Sequence, residues 1–245
     1  MYNLHPADLI PDAGAMQRFM ELTQLYDAAI REVRTKLEIL DREFQVRYAR
    51  NPIHHIESRL KSPHSIAEKL ERKGLPRTID AAEKHLLDIA GVRIICNYVQ
   101  DIYHVSDLLT RQRDVETVLR KDYIAEPKGN GYRSLHLVVR IPVFLSSHTE
   151  LVPVEIQIRT IAMDFWASLE HELRYKSDQE TNEALKLRLK LCAETSAQLD
   201  EEMQSIYQEI HGGKNTYHEK KGCRAGTDCV TILKTSSDRR GRNGS

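Results

Sequence analysis

The sequence predicts an α/β or α+β fold, a mixed β-sheet flanked by helices. Three observations predict it. Apolar residues recur at helical intervals from about 14 to 48, the period shortens to two through the middle of the chain, and helical spacing returns from about 162 onwards. One sheet between helical layers accommodates that order of elements.

The first helix is marked by Met16, Met20, Ile30, Val33, Leu37, Leu40 and Phe44, with no Pro or Gly after Gly14. Asn51-Pro52 breaks it. A second helix is expected over Pro63–Lys73: Ser62 precedes a Pro at the first helical position, and Gly74-Leu75-Pro76 closes it. A short helix follows over Ala81–Leu87. Gly91–Val99 is rich in β-branched residues and reads as a strand. Ile102–Arg111 reads as a helix, Val115–Leu119 as a strand. Leu135–Ile141 and Val152–Ile158 are further strands joined through a Ser146–Thr149 turn. The polar stretch from Asp122 to Tyr132 is a loop by composition. Helices are expected over Ala162–Lys176 and Asn182–Ile210, the last with an apolar stripe of Leu187, Leu191, Leu199, Met203, Ile206 and Ile210. Beyond Gly212-Gly213 the pattern dissolves, and disorder is expected over 212–245.

Composition narrows the function classes. The 245 residues suit one ordinary domain with a sizeable core. Lys plus Arg number 36 and Asp plus Glu number 36, so any basic site comes from local clustering, and nothing general points to nucleic acid. No run of about 18 apolar residues suggests a membrane span. The N-terminus does not read as a secretory signal. These features lead us to expect a cytoplasmic protein. Cys96 and Cys192 are expected to be buried thiols. Cys223 and Cys229 lack the spacing of a zinc knuckle, and His211 and His218 add only weak metal-binding potential.

Four segments could carry chemistry. Strand alternation puts Val152, Val154, Ile156 and Ile158 on one face and Glu155, Gln157 and Arg159 on the other. The second face is either solvated or a rigid mount for a metal-binding or proton-accepting carboxylate. In Asp88-Ile89-Ala90-Gly91-Val92-Arg93, a carboxylate at the lip of a strand and an arginine five residues on suit Mg²⁺ plus phosphate, with Glu155 as a second ligand. Spacing alone leaves Asp88 equally a turn residue and Arg93 a surface charge. Ser65, Lys69 and Arg72 share a helix face, and Arg59 and Lys61 lie on the approach to it. Those cations suit a polyphosphate, or form a charged solvent face with Glu68–Arg72 pairing. Lastly, Lys121 and Lys128 border a glycine-rich loop that delivers Tyr132 to a strand, where it could stack on a base or pack on the core. The chain has no Gly-Lys-Ser or Gly-Lys-Thr, so it is not a P-loop NTPase.

The segments Asp88–Ile94, Gly131–His136, Val154–Thr160 and Ala162–His171 together resemble the synthetase motifs of RelA/SpoT-type enzymes, and are most similar to the short, single-domain alarmone synthetases. The resemblance spans roughly 15–210 in order. It implies a nucleotidyltransferase-like fold with a catalytic core over 51–180, an N-terminal helical region over 1–50 and a C-terminal helix over 181–211. It implies transfer of the β,γ-pyrophosphate of ATP to the 3′-hydroxyl of GTP or GDP. On that resemblance Arg59, Lys61, Lys69, Arg72 and Arg93 hold ATP, Asp88 and Glu155 bind Mg²⁺, and Glu155 helps deprotonate the hydroxyl. Tyr132 stacks on guanine, Lys121, Lys128 and His136 contact the acceptor phosphates, Gln157 supports the acceptor, and Asp164 stands where some members carry Asn near the base. It further implies a homotetramer and, with no His-Asp dipeptide in the chain, synthesis without hydrolysis. A tRNA-modifying relative and a non-catalytic guanine-nucleotide or RNA-binding module are the alternatives.

Overall fold

The computed structural model describes residues 13–47, 50–176 and 183–211. Expectations for Cys223, Cys229, His218 and the chain beyond Gly212 lie outside the described residues. In chain order the elements are α1 (Ala13–Arg47), β1 (Ile53–Leu60), α2 (Pro63–Arg72), α3 (Ile79–His85), β2 (Ala90–Cys96), α4 (Val99–Thr110), β3 (Glu116–Asp122), β4 (Leu135–Phe144), β5 (Thr149–Thr160), α5 (Ile161–Lys176) and α6 (Glu183–Ile210).

The strands form one mixed sheet in the order β1-β2-β5-β4-β3. β2 and β5 run parallel at its centre, and every other pair is antiparallel. β5 is therefore paired along both edges, and its Val152, Val154, Ile156 and Ile158 are buried. They join Val92 and Ile94 of β2 and Leu135, Leu137 and Val139 of β4 in one core with Ala29, Ile30, Val33 and Leu37 of α1 and Ile102, Val105 and Leu109 of α4. Each large apolar side chain buried there contributes about 1.5–3 kcal/mol.

β1 is absent from the sequence expectation, and its irregularity explains why. Its apolar residues are Ile53, Ile56 and Leu60, a spacing that imitates a helix. The register shifts between Ile53 and His55, which breaks the two-residue period. α3 starts earlier than expected because the Thr78 side chain caps it, accepting from the Ala81 amide at 3.2 Å. α4 likewise starts at Val99, where the Asp101 carboxylate accepts from the Tyr98 amide at 3.2 Å. Asp101 is fully buried and forms an ion pair with Arg50. β3 runs further than expected, so Lys121 and Asp122 belong to a strand.

Three side-chain expectations are corrected. Met16 and Met20 are exposed, and the buried stripe of α1 runs through Leu22, Tyr26, Ala29, Ile30, Val33, Leu37 and Phe44. The expected apolar stripe of α6 points outwards: Leu187, Leu191, Leu199, Met203, Ile206 and Ile210 are all exposed, while Ala193 and Asp200 are the buried residues of that helix. For the same reason Cys192 is exposed, whereas Cys96 is buried as expected.

Polar contacts anchor α6 instead. The Gln100 amide donates to Gln204 at 2.9 Å, and Arg50 lies over the Tyr98 and Tyr207 rings at 4.9 and 4.6 Å. The Thr160 hydroxyl accepts from the Met163 amide at 3.1 Å and donates to Asp200 at 2.6 Å. Burial pushes the Asp200 carboxyl up to about 6, against the opposing hydrogen bond from Thr160. A carboxyl raised above its unfolded value favours folding as the neutral acid. Its contribution is complete below about pH 4 and is lost as pH rises through about 6. Asp200→Asn cannot ionise. It is expected to melt above the parent at about pH 7.5 and to lose that advantage at about pH 4. The same offset at both pH values in a thermal melt would contradict this assignment.

Candidate active site

The site is built on the sheet face opposite the core. Strand register aligns Glu57 of β1, Arg93 of β2, Gln157 of β5, His136 of β4 and Lys121 of β3 in a single row across all five strands. The next row places Arg59, Gly91 and Glu155 side by side. Gly91 has no side chain, so a gap opens between its neighbours. It is the floor of a cleft of about 260 Å³ lined by Glu57, Arg59, Arg93, Glu155 and Gln157. The structure thus brings Arg59, Arg93, Glu155 and Gln157 together, as the sequence suggested.

Arg93 and Arg159 of this face are held by carboxylates. Arg93 Nη1 lies 3.5 Å from Glu57 and 3.3 Å from Asp164. Arg159 Nη1 donates to the same Asp164 oxygen at 3.0 Å. Asp164 therefore bridges two arginines. Arg159 is only 5 % exposed, and a charge so buried persists only with partners. Its Nη2 donates to the Gln157 carbonyl oxygen at 2.9 Å and to the Tyr132 hydroxyl at 2.6 Å. The Gln157 amide nitrogen in turn donates to Glu155 Oε2 at 3.1 Å. The face is thus an ordered polar network rather than a solvated one.

Tyr132 is half-buried, in keeping with the packed alternative that the sequence left open. It packs against Trp166, Ala167 and Ala193 of α5 and α6. Lys128 sits over the Tyr123 and Tyr132 rings at 4.5 and 4.6 Å. The Tyr132 hydroxyl meets His136 Nε2 at 2.8 Å, and His136 Nδ1 faces Glu155 Oε1 at 3.8 Å. Burial, then Arg159, Lys128 and Lys121, push the His136 imidazole down to about 4. His136 is accordingly neutral at physiological pH. Lys121 is exposed on the edge strand beside it.

A second cluster adjoins the cleft. Lys61 stands two residues beyond Arg59, on the same face, and its backbone amide donates to Ile89 at 2.8 Å. Lys61 and Lys69 both contact one oxygen of Asp88. Burial would raise the Asp88 carboxyl, but hydrogen bonds from the two lysines outweigh it and hold it low. Burial also pulls Lys61 down. The other Asp88 oxygen is buried without a hydrogen-bond partner among the described residues. Asp88 does not line the Gly91 cleft itself. Arg72 is exposed on the outer turn of α2, and Glu68 meets His64 at 3.6 Å instead of the expected Arg72. Among the described residues no group of three or more His, Cys, Asp or Glu could hold a metal.

Two participants escaped the sequence reading. Glu57 belongs to the unrecognised β1. Arg159 was placed on the correct face of its strand, but nothing in the spacing showed that it is buried.

Residues 58–180 match the model of a region found in RelA/SpoT proteins. The chain is 47% identical over 186 residues to the GTP pyrophosphokinase YwaC of Bacillus subtilis, covering 76% of this chain and 89% of that protein. It is 41% identical to the GTP pyrophosphokinase YjbM of the same organism, over 80% of this chain and 92% of that protein. Among solved structures, small alarmone synthetase 1 of Bacillus subtilis bound to its product pppGpp aligns with a TM-score of 0.74 and 40% identity, over 80% of this chain and 99% of that one. Small alarmone synthetase 2 of Bacillus subtilis aligns with a TM-score of 0.71 and 46% identity, over 78% and 98% of the two chains.

The Tyr132 loop depends on Gly131. Its φ is +90°, and a Cβ there would lie 2.6 Å from the Ala193 Cβ. Gly131→Ala is therefore expected to cost on the order of 2 kcal/mol in a urea titration. Ala193→Gly, which costs about 1 kcal/mol in the parent as a mid-helix glycine, should cost less in the Gly131→Ala background, because there it also removes the clash. Strictly additive costs in that double-mutant cycle would contradict this packing.

Proposed function

The chain belongs to the RelA/SpoT family, and we propose that it is a GTP/GDP pyrophosphokinase. It moves the β,γ-pyrophosphate of ATP to the 3′-hydroxyl of GTP or GDP, releasing AMP and forming guanosine penta- or tetraphosphate. The observation that carries this reading is Glu155. It is a carboxylate fixed on the doubly paired central strand, between a cleft flanked by Arg59 and Arg93 and a tyrosine-bearing loop.

The roles follow from charge. Two polyphosphates repel each other, and the site offers cations on both sides of Glu155. Arg59, Lys61, Lys69, Arg72 and Arg93 form the donor half and hold ATP. Lys121, Lys128 and His136 form the acceptor half with Tyr132, whose ring stacks on guanine, while Gln157 and Asp164 support the bound nucleotide. Glu155 accepts the hydroxyl proton, with Gln157 fixing its orientation. Asp88 and Glu155 are the carboxylates that would hold Mg²⁺: one Asp88 oxygen is taken by Lys61 and Lys69, and the other is buried with no hydrogen-bond partner among the described residues. When bound, Mg²⁺ supplies neutralisation of phosphate charge.

The reading includes a homotetramer that covers the outward apolar stripe of α6 and the exposed Phe165 and Leu173 of α5. A monomer mass by light scattering would remove that part. No helix among the described residues is long and apolar enough to cross a membrane, and a cytoplasmic location is part of the same proposal.

The test is incubation with ATP, GTP or GDP, and Mg²⁺. AMP and the penta- or tetraphosphate are expected in equal amounts. Glu155→Gln is expected to lower turnover on the order of 10³-fold with nucleotide binding retained. A Glu155→Gln enzyme at parent activity would sink the mechanism.

A further inference from the structure

The polar groups around Glu155 close into a ring through one buried side chain. Arg159 Nη2 donates to Gln157 Oε1, and Gln157 Nε2 donates to Glu155 Oε2. The same Arg159 nitrogen donates to the Tyr132 hydroxyl, which meets His136 Nε2, and His136 Nδ1 faces Glu155 Oε1. We propose that Arg159 is the positioning residue of the acceptor half of the site, orienting both groups that flank Glu155. The assignment rests on the pyrophosphokinase reading for what the acceptor is, but not for the orientation itself.

Donor and acceptor chemistry fixes the sense of each arm. A guanidinium has N–H donors and no acceptor. The Gln157 carbonyl oxygen must therefore face Arg159, which turns the amide N–H₂ towards Glu155. A reversed amide would set two donors against each other at Arg159 and a carbonyl against the carboxylate. The Tyr132 oxygen must likewise accept from Arg159. Its one proton has no acceptor other than His136 Nε2 among the described residues, and when it is donated there the neutral imidazole carries its own proton on Nδ1, on the Glu155 side. Both arms deliver an N–H towards the carboxylate that takes the hydroxyl proton.

Arg159 Nη1 binds Asp164, which also holds Arg93 of the donor half. One rigid, buried fork thereby spans the acceptor tyrosine, the supporting amide and the link to the donor arginine. A lysine ammonium, a point donor on a flexible stem, cannot hold three such partners in fixed directions.

The experiment combines ¹⁵N spectroscopy of His136 at neutral pH with steady-state kinetics. In the parent chain His136 is expected to carry its proton on Nδ1 with Nε2 bare. Arg159→Met and Arg159→Lys are expected to lose that single tautomer. The acceptor KM should rise about tenfold and kcat fall on the order of 10²-fold, with the ATP KM within about threefold. Should Arg159→Met fail to fold, Tyr132→Phe leaves the Gln157 and Asp164 contacts of Arg159 in place. It removes only the relay to His136 and is expected to replace the single tautomer by a mixture of both. A parent chain with its proton on Nε2, an unchanged tautomer in Tyr132→Phe, or an Arg159→Lys enzyme with parental constants overturns the proposal. A parent chain with the Nδ1 proton but no turnover of ATP and GTP overturns the pyrophosphokinase reading alone.

Discussion

β5 is paired with β2 along one edge and β4 along the other, so its position is fixed from both sides. Its side chains alternate between a core of Val152, Val154, Ile156 and Ile158 and a polar face of Glu155, Gln157 and Arg159. A slip of one residue would exchange the two sets, burying a carboxylate and a guanidinium among aliphatic side chains. The hydrophobic core thus holds the register of the proposed catalytic face. Because Arg93 and His136 flank Gln157 in one row, and Gly91 flanks Glu155 in the next, the same constraint aligns the neighbouring strands.

Electrostatics then finishes what the register begins. The polar face is crowded with cations, and carboxylates distribute them. Asp88 holds Lys61 and Lys69, Asp164 holds Arg93 and Arg159, and Glu57 holds Arg93 from the other side. These pairs keep like charges close together in the free protein. On the proposed reading, arriving phosphates replace the carboxylates without a large rearrangement, which is the preorganisation that transfer between two polyanions requires. Glycine supplies the space: Gly91 opens the cleft, and Gly131 lets the Tyr132 loop lie against Ala193.

Much of this was legible in the sequence where the local pattern and the tertiary environment agree. β5 and β2 are strongly periodic, and their polar positions line one cleft with Arg59. β1 was not legible, because a bulge gave its apolar residues a helix-like spacing, and Glu57 was lost with it. The burial of Arg159 could not be read from alternation, since it depends on Tyr132 and Asp164, which are distant in the chain or on another element. The stripe of α6 was legible as apolar, but periodicity does not say which way a helix turns its apolar side. Polar anchors at Asp200 and Gln204 decide that orientation.

The central claim is that one sheet face presents donor and acceptor to Glu155 from opposite sides. A crystal structure with a non-hydrolysable ATP analogue and GDP tests it most directly. The account places the triphosphate over Gly91 between Arg59 and Arg93, guanine on Tyr132, and the acceptor 3′-oxygen within hydrogen-bond reach of Glu155. Nucleotides bound elsewhere, or a 3′-oxygen remote from Glu155 with both sites filled, would contradict it.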